Sequence, residues 1–186
     1  KDSFSCSGKM EISDRFFHCW KNSGHGTMDL TKSLSESCDV YFYELALKVG
    51  IERINKMATK LGLGIKHDVP MSAITKGLMP SREWKLNNRE QEWLVGDTVN
   101  ASIGQGYVLS SPLQLAVMAA RLASGKKVNP ILTKSINGQN IHNLKNIEDL
   151  DIDKSYLKII RKALFQASND RRGTAYRSRV IDDAYR

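Results

Sequence analysis

The sequence predicts an α+β domain that is mostly helical and opens with a short β-hairpin. Apolar residues recur at helical spacing in several separate segments between residues 30 and 167. Short runs rich in β-forming residues, with a turn between them, lie within the first 20 residues. A length of 186 residues suits one domain with a sizeable core but is short for two. We therefore expect a single domain over residues 1–186.

The predicted hairpin pairs Ser3–Cys6 with Arg15–Trp20. Because Cys6 and Cys19 lie on these two strands, a cross-strand disulfide is one interpretation if the chain is extracytoplasmic. Three free thiols are the other interpretation, since Cys38 leaves an odd cysteine. The cysteines and the four histidines show no ligand spacing such as Cys-x-x-Cys. On this spacing we expect no metal site.

Two helical segments meet at the polar tripeptide Ser37-Cys38-Asp39. Apolar residues lie at helical spacing on both sides of it: Leu30 and Leu34 before, and Tyr41, Leu45 and Val49 after. Residues two apart do not share a helix face, so Ser37 and Asp39 can point into one cleft only from a turn or extended conformation. Cys38 would then face the core. The alternative is that Asp39 is an ordinary helix N-cap, because Ser-x-Asp tripeptides favour caps and surface turns.

The remainder of the chain indicates further helices joined by loops. The predicted helices are Ile51–Leu61, ended by Gly62 and Gly64, a short one opened by Pro80, a run from Trp93 toward Gly104–Gly106, Ser111–Ala123 and Ser155–Ala167. The segment Ser111–Ala123 is apolar nearly all round, which predicts burial at the centre of the core. Residues 65–79 read as a loop, Val128–Ile136 as a strand, and Ser135–Asn140 as a surface turn.

The net charge of +8 favours anionic partners at long range. Nucleic acid is one candidate, but the densest basic run, Arg171–Arg179, holds one aromatic residue and no recognisable binding module, so we expect no nucleic-acid partner. We interpret this run as a solvated or cleft-flanking loop. The glycine-rich segment Gly96–Gly106 lacks the Gly-Lys-Ser/Thr ending of a phosphate-binding loop, which excludes nucleotide binding. No stretch approaches the length of a membrane helix, no signal peptide opens the chain, and both ends read as cuts.

Four stretches in this order resemble one family: Gly24–Gly26, Ser37–Tyr43, Gly96–Gly106 and Ser111–Ala116. The family is the transpeptidase domain of class B penicillin-binding proteins, and the chain is most like its elongation-type members, penicillin-binding protein 2. The resemblance implies the α/β fold shared by penicillin-binding proteins and β-lactamases. It also implies that Gly104–Gly106 supports the floor of the active-site cleft.

The family builds its site from Ser-x-x-Lys, which carries the nucleophile, from Ser-x-Asn or Ser-x-Asp, and from Lys-Thr-Gly. This chain holds the second motif, so the resemblance implies that Ser37 passes protons and that Asp39 orients a lysine. Asp39 replaces the commoner asparagine and cannot donate an amide proton to substrate. Two later strings, starting at Ser124 and Ser155, match Ser-x-x-Lys by chance, since the family's nucleophile precedes the second motif. No metal and no organic cofactor are implied.

These matches predict the middle of a transpeptidase domain, without its nucleophile motif and its Lys-Thr-Gly strand, and inactive alone. The implied parent is a peptidoglycan D,D-transpeptidase on the periplasmic side of the bacterial inner membrane, held by a membrane anchor outside this chain. Its implied partners are stem peptides, β-lactams and the cell-wall elongation machinery. The alternatives are a division-type enzyme, a β-lactam-sensing receptor domain and a non-catalytic relative.

Overall fold

A computed structural model describes residues 2–140 and 146–181. In chain order its elements are β1 (Phe4–Cys6), β2 (Lys9–Ile12), β3 (Arg15–His18), β4 (Gly26–Met28), α1 (Leu30–Ser35), α2 (Asp39–Val49), α3 (Ile51–Leu61), α4 (Arg82–Arg89), α5 (Val95–Ser102), α6 (Pro112–Ser124), β5 (Ser135–Ile136), β6 (Gln139–Asn140), α7 (Lys154–Asn169) and a 3₁₀ turn, Tyr176–Ser178. The mostly helical α+β prediction is confirmed. Within the described residues, every helix is too short or too polar to cross a bilayer.

The chain divides into two compact units. The first contains Lys1–Gly50, Leu94–Ile103 and Lys158–Arg186. The second contains Ile51–Trp93 and Gly104–Leu157.

The strands of the first unit form two antiparallel pairs, β2 with β3 and β1 with β4. A hairpin near the start of the chain is confirmed, but its strands are β2 and β3. The predicted pairing of Ser3–Cys6 with Arg15–Trp20 is wrong, because β1 pairs with β4. Ser13 and Asp14 both have positive φ, at 45° and 62°, and form a two-residue turn of the kind that closes tight hairpins. Such a turn folds β3 back onto the residues directly before it, which leaves β1 to pair with Gly26–Met28.

Helix α2 supplies much of the core of the first unit. Its buried side chains include Val40, Tyr41 and Tyr43, which pack with residues from the strands and from α5. The Tyr43 hydroxyl donates to the His18 carbonyl over 3.0 Å, and Phe17 meets the Tyr43 ring edge-on at 5.9 Å. Burial raises the pKa of Tyr43 to about 12. These contacts hold the hairpin against α2.

Local side-chain and glycine signals mark several helix ends in both units. Asp29 caps α1 by accepting from the Lys32 amide over 2.9 Å, and Ser111 caps α6 by accepting from the Gln114 amide over 3.3 Å. Helix α3 stops before Gly62, whose φ of 104° is unfavourable for other residues. The predicted loop over residues 65–79 contains no helix or strand among the described elements.

Helix α6 differs from its prediction, because it is not buried on all sides. Leu115 is 48% exposed, while the buried side carries the polar residues Gln114 and Arg121. The Gln114 amide donates to the carbonyls of Ile65 and Lys76, each over 2.7 Å. The polar side is thus buried because it satisfies loop carbonyls that lack partners in regular structure.

The strand predicted over Val128–Ile136 is wrong except at its end, where Ser135–Ile136 pairs with Gln139–Asn140. Pro130 cannot donate to a strand ladder, which weakens the run as a strand. The turn predicted within Ser135–Asn140 is confirmed, with positive φ at Asn137 and Gly138. The last predicted helix is confirmed as α7.

Candidate functional site

Ser37 lies on the turn that joins α1 to α2. Its φ of 53° is in the left-handed region, which costs a residue other than glycine about 1 kcal/mol or more. Two backbone bonds hold the turn: the Glu36 amide donates to the Lys32 carbonyl over 2.8 Å, and the Cys38 amide to the Ser33 carbonyl over 3.0 Å. The side chain of Ser37 is exposed. The strained turn therefore presents a hydroxyl to solvent.

The two residues that follow point in different directions. Cys38 is fully buried at 0% exposure, which confirms the predicted orientation toward the core. Asp39 is half-buried and is the first residue of α2 rather than its N-cap, a position that Cys38 occupies. The N-cap interpretation of Asp39 is therefore wrong. Its carboxylate instead accepts from the Trp20 amide over 2.9 Å and lies at the positive end of the helix dipole.

The hydroxyl of Ser37 is bonded to that of Thr174, with 2.9 Å between Oγ and Oγ1. The Thr174 amide also donates to the Ser35 carbonyl over 3.1 Å. Thr174 belongs to the basic run that the sequence predicted as a loop, and this run forms turns after α7. Local sequence patterns do not predict this contact, because the two residues are 137 positions apart.

A second group of reactive side chains includes Cys38, the residue after Ser37. Cys6, Cys19, His25 and Cys38 each offer one ligand atom, and these atoms all lie within 4.8 Å of one another. The three cysteines are free thiols, so the Cys6–Cys19 disulfide interpretation is not realised. The expectation of no metal site rested on sequence spacing alone, which does not reveal that the fold brings these four possible ligands together. Cys6 and His25 are 19 positions apart, a spacing outside the usual short zinc motifs.

The donor set fits a tetrahedral zinc site. The Nδ1 atom of His25 lies 3.6 Å from the Cys6 Sγ and 3.5 Å from the Cys19 Sγ. Zn–S bonds near 2.3 Å and Zn–N bonds near 2.0 Å place two such ligand atoms about 3.5 Å apart in a tetrahedron. The two distances from the His25 nitrogen to the sulfurs therefore match the spacing of ligand atoms around a tetrahedral zinc ion.

Burial disfavours the charged forms of three of these four side chains. Burial raises the pKa of the Cys19 thiol and raises the pKa of Cys38 to about 12. Burial also lowers the pKa of His25, which favours the neutral form of its imidazole. The other ring nitrogen of His25, Nε2, is buried and has no hydrogen-bond partner among residues 2–140 and 146–181. A divalent cation would stabilise the thiolates that burial disfavours.

The two chance matches to Ser-x-x-Lys have other contacts. The Ser124 hydroxyl donates to the Ala120 carbonyl over 2.7 Å, and Lys127 pairs with Glu148 over 2.7 Å. The Ser155 amide donates to the Asp153 carboxylate over 2.7 Å at the start of α7. Ser124 and Ser155 are therefore placed as helix-terminal residues rather than as nucleophiles held by a lysine.

Known proteins match the chain over almost its whole length. The family model described as the penicillin binding protein transpeptidase domain matches residues 1–184. The peptidoglycan D,D-transpeptidase MrdA of Salmonella typhimurium is 32% identical over 169 residues, which cover 88% of this chain and 27% of that protein. The chain thus spans about a quarter of the length of the curated relatives it matches.

Solved structures agree. The complex between penicillin-binding protein 2 and MreC from Helicobacter pylori matches with a TM-score of 0.87 and 32% identity, over 98% of this chain and 33% of that one. Penicillin-binding protein 2 of Pseudomonas aeruginosa in complex with WCK 5153 matches with a TM-score of 0.86 and 34% identity, over 95% of this chain and 39% of that one.

Proposed function

The chain belongs to the penicillin-binding protein transpeptidase family, and we propose that the protein it is part of is an elongation-type peptidoglycan D,D-transpeptidase. In this proposal residues 1–186 form an internal part of one transpeptidase domain. The nucleophile motif lies before it and the Lys-Thr-Gly strand after it. The observation that carries the proposal is the exposed hydroxyl of Ser37 on its turn, at the place where the family's second motif is expected.

The proposed reaction is an acyl transfer in two steps. The nucleophilic serine attacks the carbonyl of the penultimate D-alanine in a stem peptide, the peptide bond breaks, and D-alanine leaves with the proton that the serine gives up. An amine of a neighbouring strand then attacks the ester, its proton returns to the serine oxygen, and the cross-link forms. Dividing one difficult step into two through a covalent ester is the general advantage of an active-site nucleophile.

Ser37 would carry the proton between these groups, because a hydroxyl donates and accepts at the same time. Asp39 would hold a lysine of the nucleophile motif in place through its free lone pairs. One of its carboxylate oxygens is already engaged by the Trp20 amide, which fixes the orientation of the carboxylate.

We propose that the protein lies on the periplasmic side of the inner membrane, where stem peptides and β-lactams are available. Its partners would be the cell-wall elongation machinery. Support comes from the Helicobacter pylori relative, which was solved in complex with MreC.

We test the proposal by intact-mass analysis after incubation with penicillin, on this chain and on the longer protein that carries it. A gain of one penicillin on the longer protein alone is the expected result. A gain on this chain would move the nucleophile to Ser124 or Ser155. The absence of a gain on either would favour a non-catalytic relative.

A second function is carried by the cluster of Cys6, Cys19, His25 and Cys38, and we propose that it binds Zn²⁺. Three sulfurs and one nitrogen are a common structural zinc set, and all four ligands come from the first unit. The metal would supply a cross-link between the strands and the start of α2, in place of a disulfide. Because Cys38 lies between Ser37 and Asp39, the cross-link would anchor the backbone of the motif.

A further inference from the structure

The hydroxyl of Ser37 is not left to rotate freely, although it lies at an exposed position. Its contact with Thr174 spans 2.9 Å and is the one hydrogen bond that the Ser37 side chain makes within the described residues. Threonine is β-branched, so its own χ1 is restricted and its hydroxyl is a more rigid partner than a serine would be. A rigid partner selects one orientation of the Ser37 hydroxyl.

Thr174 is itself held in place by its surroundings. Its amide donates to the Ser35 carbonyl over 3.1 Å, and the next amide, of Ala175, donates to the Ala167 carbonyl over 3.0 Å. The preceding Gly173 is buried so tightly that an added Cβ would lie 2.2 Å from the Ala167 carbonyl oxygen. The turn is thus bonded on one side to the end of α1 and on the other to α7.

An ion pair adds a third connection on the same side of the turn. Arg172 lies 3.6 Å from the carboxylate of Glu36, the residue before Ser37, and that carboxylate side chain is only 14% exposed. Residues 172 and 174 therefore contact residues 36, 37 and 35 through an ion pair, a side-chain bond and a backbone bond. Three separate contacts therefore hold the segment after α7 against the Ser37 turn.

From this geometry we infer that Thr174 is a positioning residue, which orients the hydroxyl of Ser37 for proton transfer during acylation. The inference rests on the proposed transpeptidase function. A relay hydroxyl must present its proton and its lone pair in fixed directions, and a misdirected one loses rate without losing binding. Thr174 touches neither the substrate nor the reacting bond in this assignment and acts through Ser37.

The test uses the longer protein that carries the nucleophile, with a chromogenic β-lactam as the probe. The Thr174→Val substitution keeps the shape of the side chain but removes its hydroxyl. We expect the limiting acylation rate to fall about tenfold or more, while the dissociation constant of the non-covalent β-lactam complex changes little. Thr174→Ser restores a hydroxyl and should recover most of that rate. Thr133→Val, an exposed threonine of the second unit, is the matched control and should acylate like the wild type.

A double-mutant cycle with Ser37→Ala separates positioning from general structural damage. We expect Thr174→Val to add no further loss when Ser37 is already alanine. A wild-type rate in Thr174→Val, or an equal loss in both backgrounds, would overturn the role of Thr174 alone. If the wild type itself is not acylated, the proposed function fails and this role fails with it, so the two failures are told apart by the wild-type control.

Discussion

Trp20 bonds to the residues on both sides of the Ser37 turn. Its amide donates to the Asp39 carboxylate over 2.9 Å, and its indole Nε1 donates to the Glu36 carbonyl over 3.1 Å. Trp20 directly follows Cys19, so the strand that brings one cluster cysteine also positions the backbone of the motif. Local order at the motif therefore depends on the chain between β3 and β4 as well as on its own two helices.

The first prediction separates the two roles of Asp39. Asp39→Ala removes the acceptor of the Trp20 amide, which should lower the free energy of unfolding by about 1 kcal/mol. We expect β-lactam acylation by the longer protein to fall by more than this stability loss explains. Asp39→Asn keeps an oxygen for the Trp20 amide and should retain most of both properties. Stopped-flow acylation and urea unfolding provide the two measurements.

Acylation by Asp39→Ala at the wild-type rate would contradict the catalytic role of Asp39. The residue would then be only a partner of the Trp20 amide at the start of α2.

The second prediction concerns removal of the metal. Purified protein should contain about one zinc per chain, and His25→Ala or Cys38→Ser should lose it, as measured by atomic emission. Chelation should lower the melting temperature. A ligand that binds only the folded state, at a free concentration a hundred times its Kd, adds about 2.7 kcal/mol to the free energy of unfolding. His18→Ala is the matched control, since His18 is exposed and lies outside the cluster.

A protein that keeps its zinc after His25→Ala, or that never contains zinc when purified without chelators, would count against the metal site. Formation of a disulfide between Cys6 and Cys19 in that metal-free protein would restore the first interpretation of the hairpin.

Local patterns in the sequence predict most of the helices, because a cap or a terminal glycine acts within a few residues. Gly62 ends α3 as predicted, and Asp29 before α1 and the Ser111-Pro112 pair before α6 are local signals of the same kind. Helical spacing on both sides of Ser37-Cys38-Asp39 likewise predicts a turn between two helices at this tripeptide. It also predicts that Cys38 is the buried residue of the three.

Contacts between distant residues could not be predicted in this way. Thr174 reaches Ser37 across 137 positions, and nothing in the basic run around it indicates a partner. The four members of the cluster come from separate strands and turns, and strand pairing alone brings them together. The apolar pattern of α6 predicts burial on all sides. It does not reveal that loop carbonyls need the polar side chain of Gln114, which puts that side chain on the buried face.

The third prediction tests that role of Gln114, which is 1% exposed. Gln114→Leu preserves the volume approximately but leaves the carbonyls of Ile65 and Lys76 without their donor. Buried acceptors without partners cost about 1–3 kcal/mol each, so we expect the free energy of unfolding to fall by about 2–4 kcal/mol. The matched control is Gln105→Leu at an exposed position. Equal urea midpoints for the two variants would show that Gln114 does not stabilise the loop.

The fourth prediction concerns acid sensitivity in the second unit, where three carboxylates pair with lysines. Hydrogen bonds from Lys127, Lys126 and Lys60 hold the pKa values of Glu148, Asp149 and Asp151 below their usual range. A lowered pKa in the folded state gives stability that is present above the ordinary pKa and is lost as pH falls through the lowered one. All six side chains are partly or largely exposed, so added salt should weaken the effect.

We expect the stability that these three ion pairs contribute to be constant near neutral pH. It should be lost as the pH falls below the ordinary carboxyl pKa values, 3.8 for Asp and 4.5 for Glu. The reporters are the backbone amides of Lys127 and Leu150. They donate to the backbone carbonyls of Glu148 and Gly125 respectively, each over 2.8 Å. Their hydrogen exchange, corrected for intrinsic pH dependence, should accelerate in acid relative to the Leu78 and Leu109 amides, which bond to each other's carbonyls. If all four amides respond alike, the ion pairs do not hold this segment, and its position depends on the buried Leu150 side chain instead.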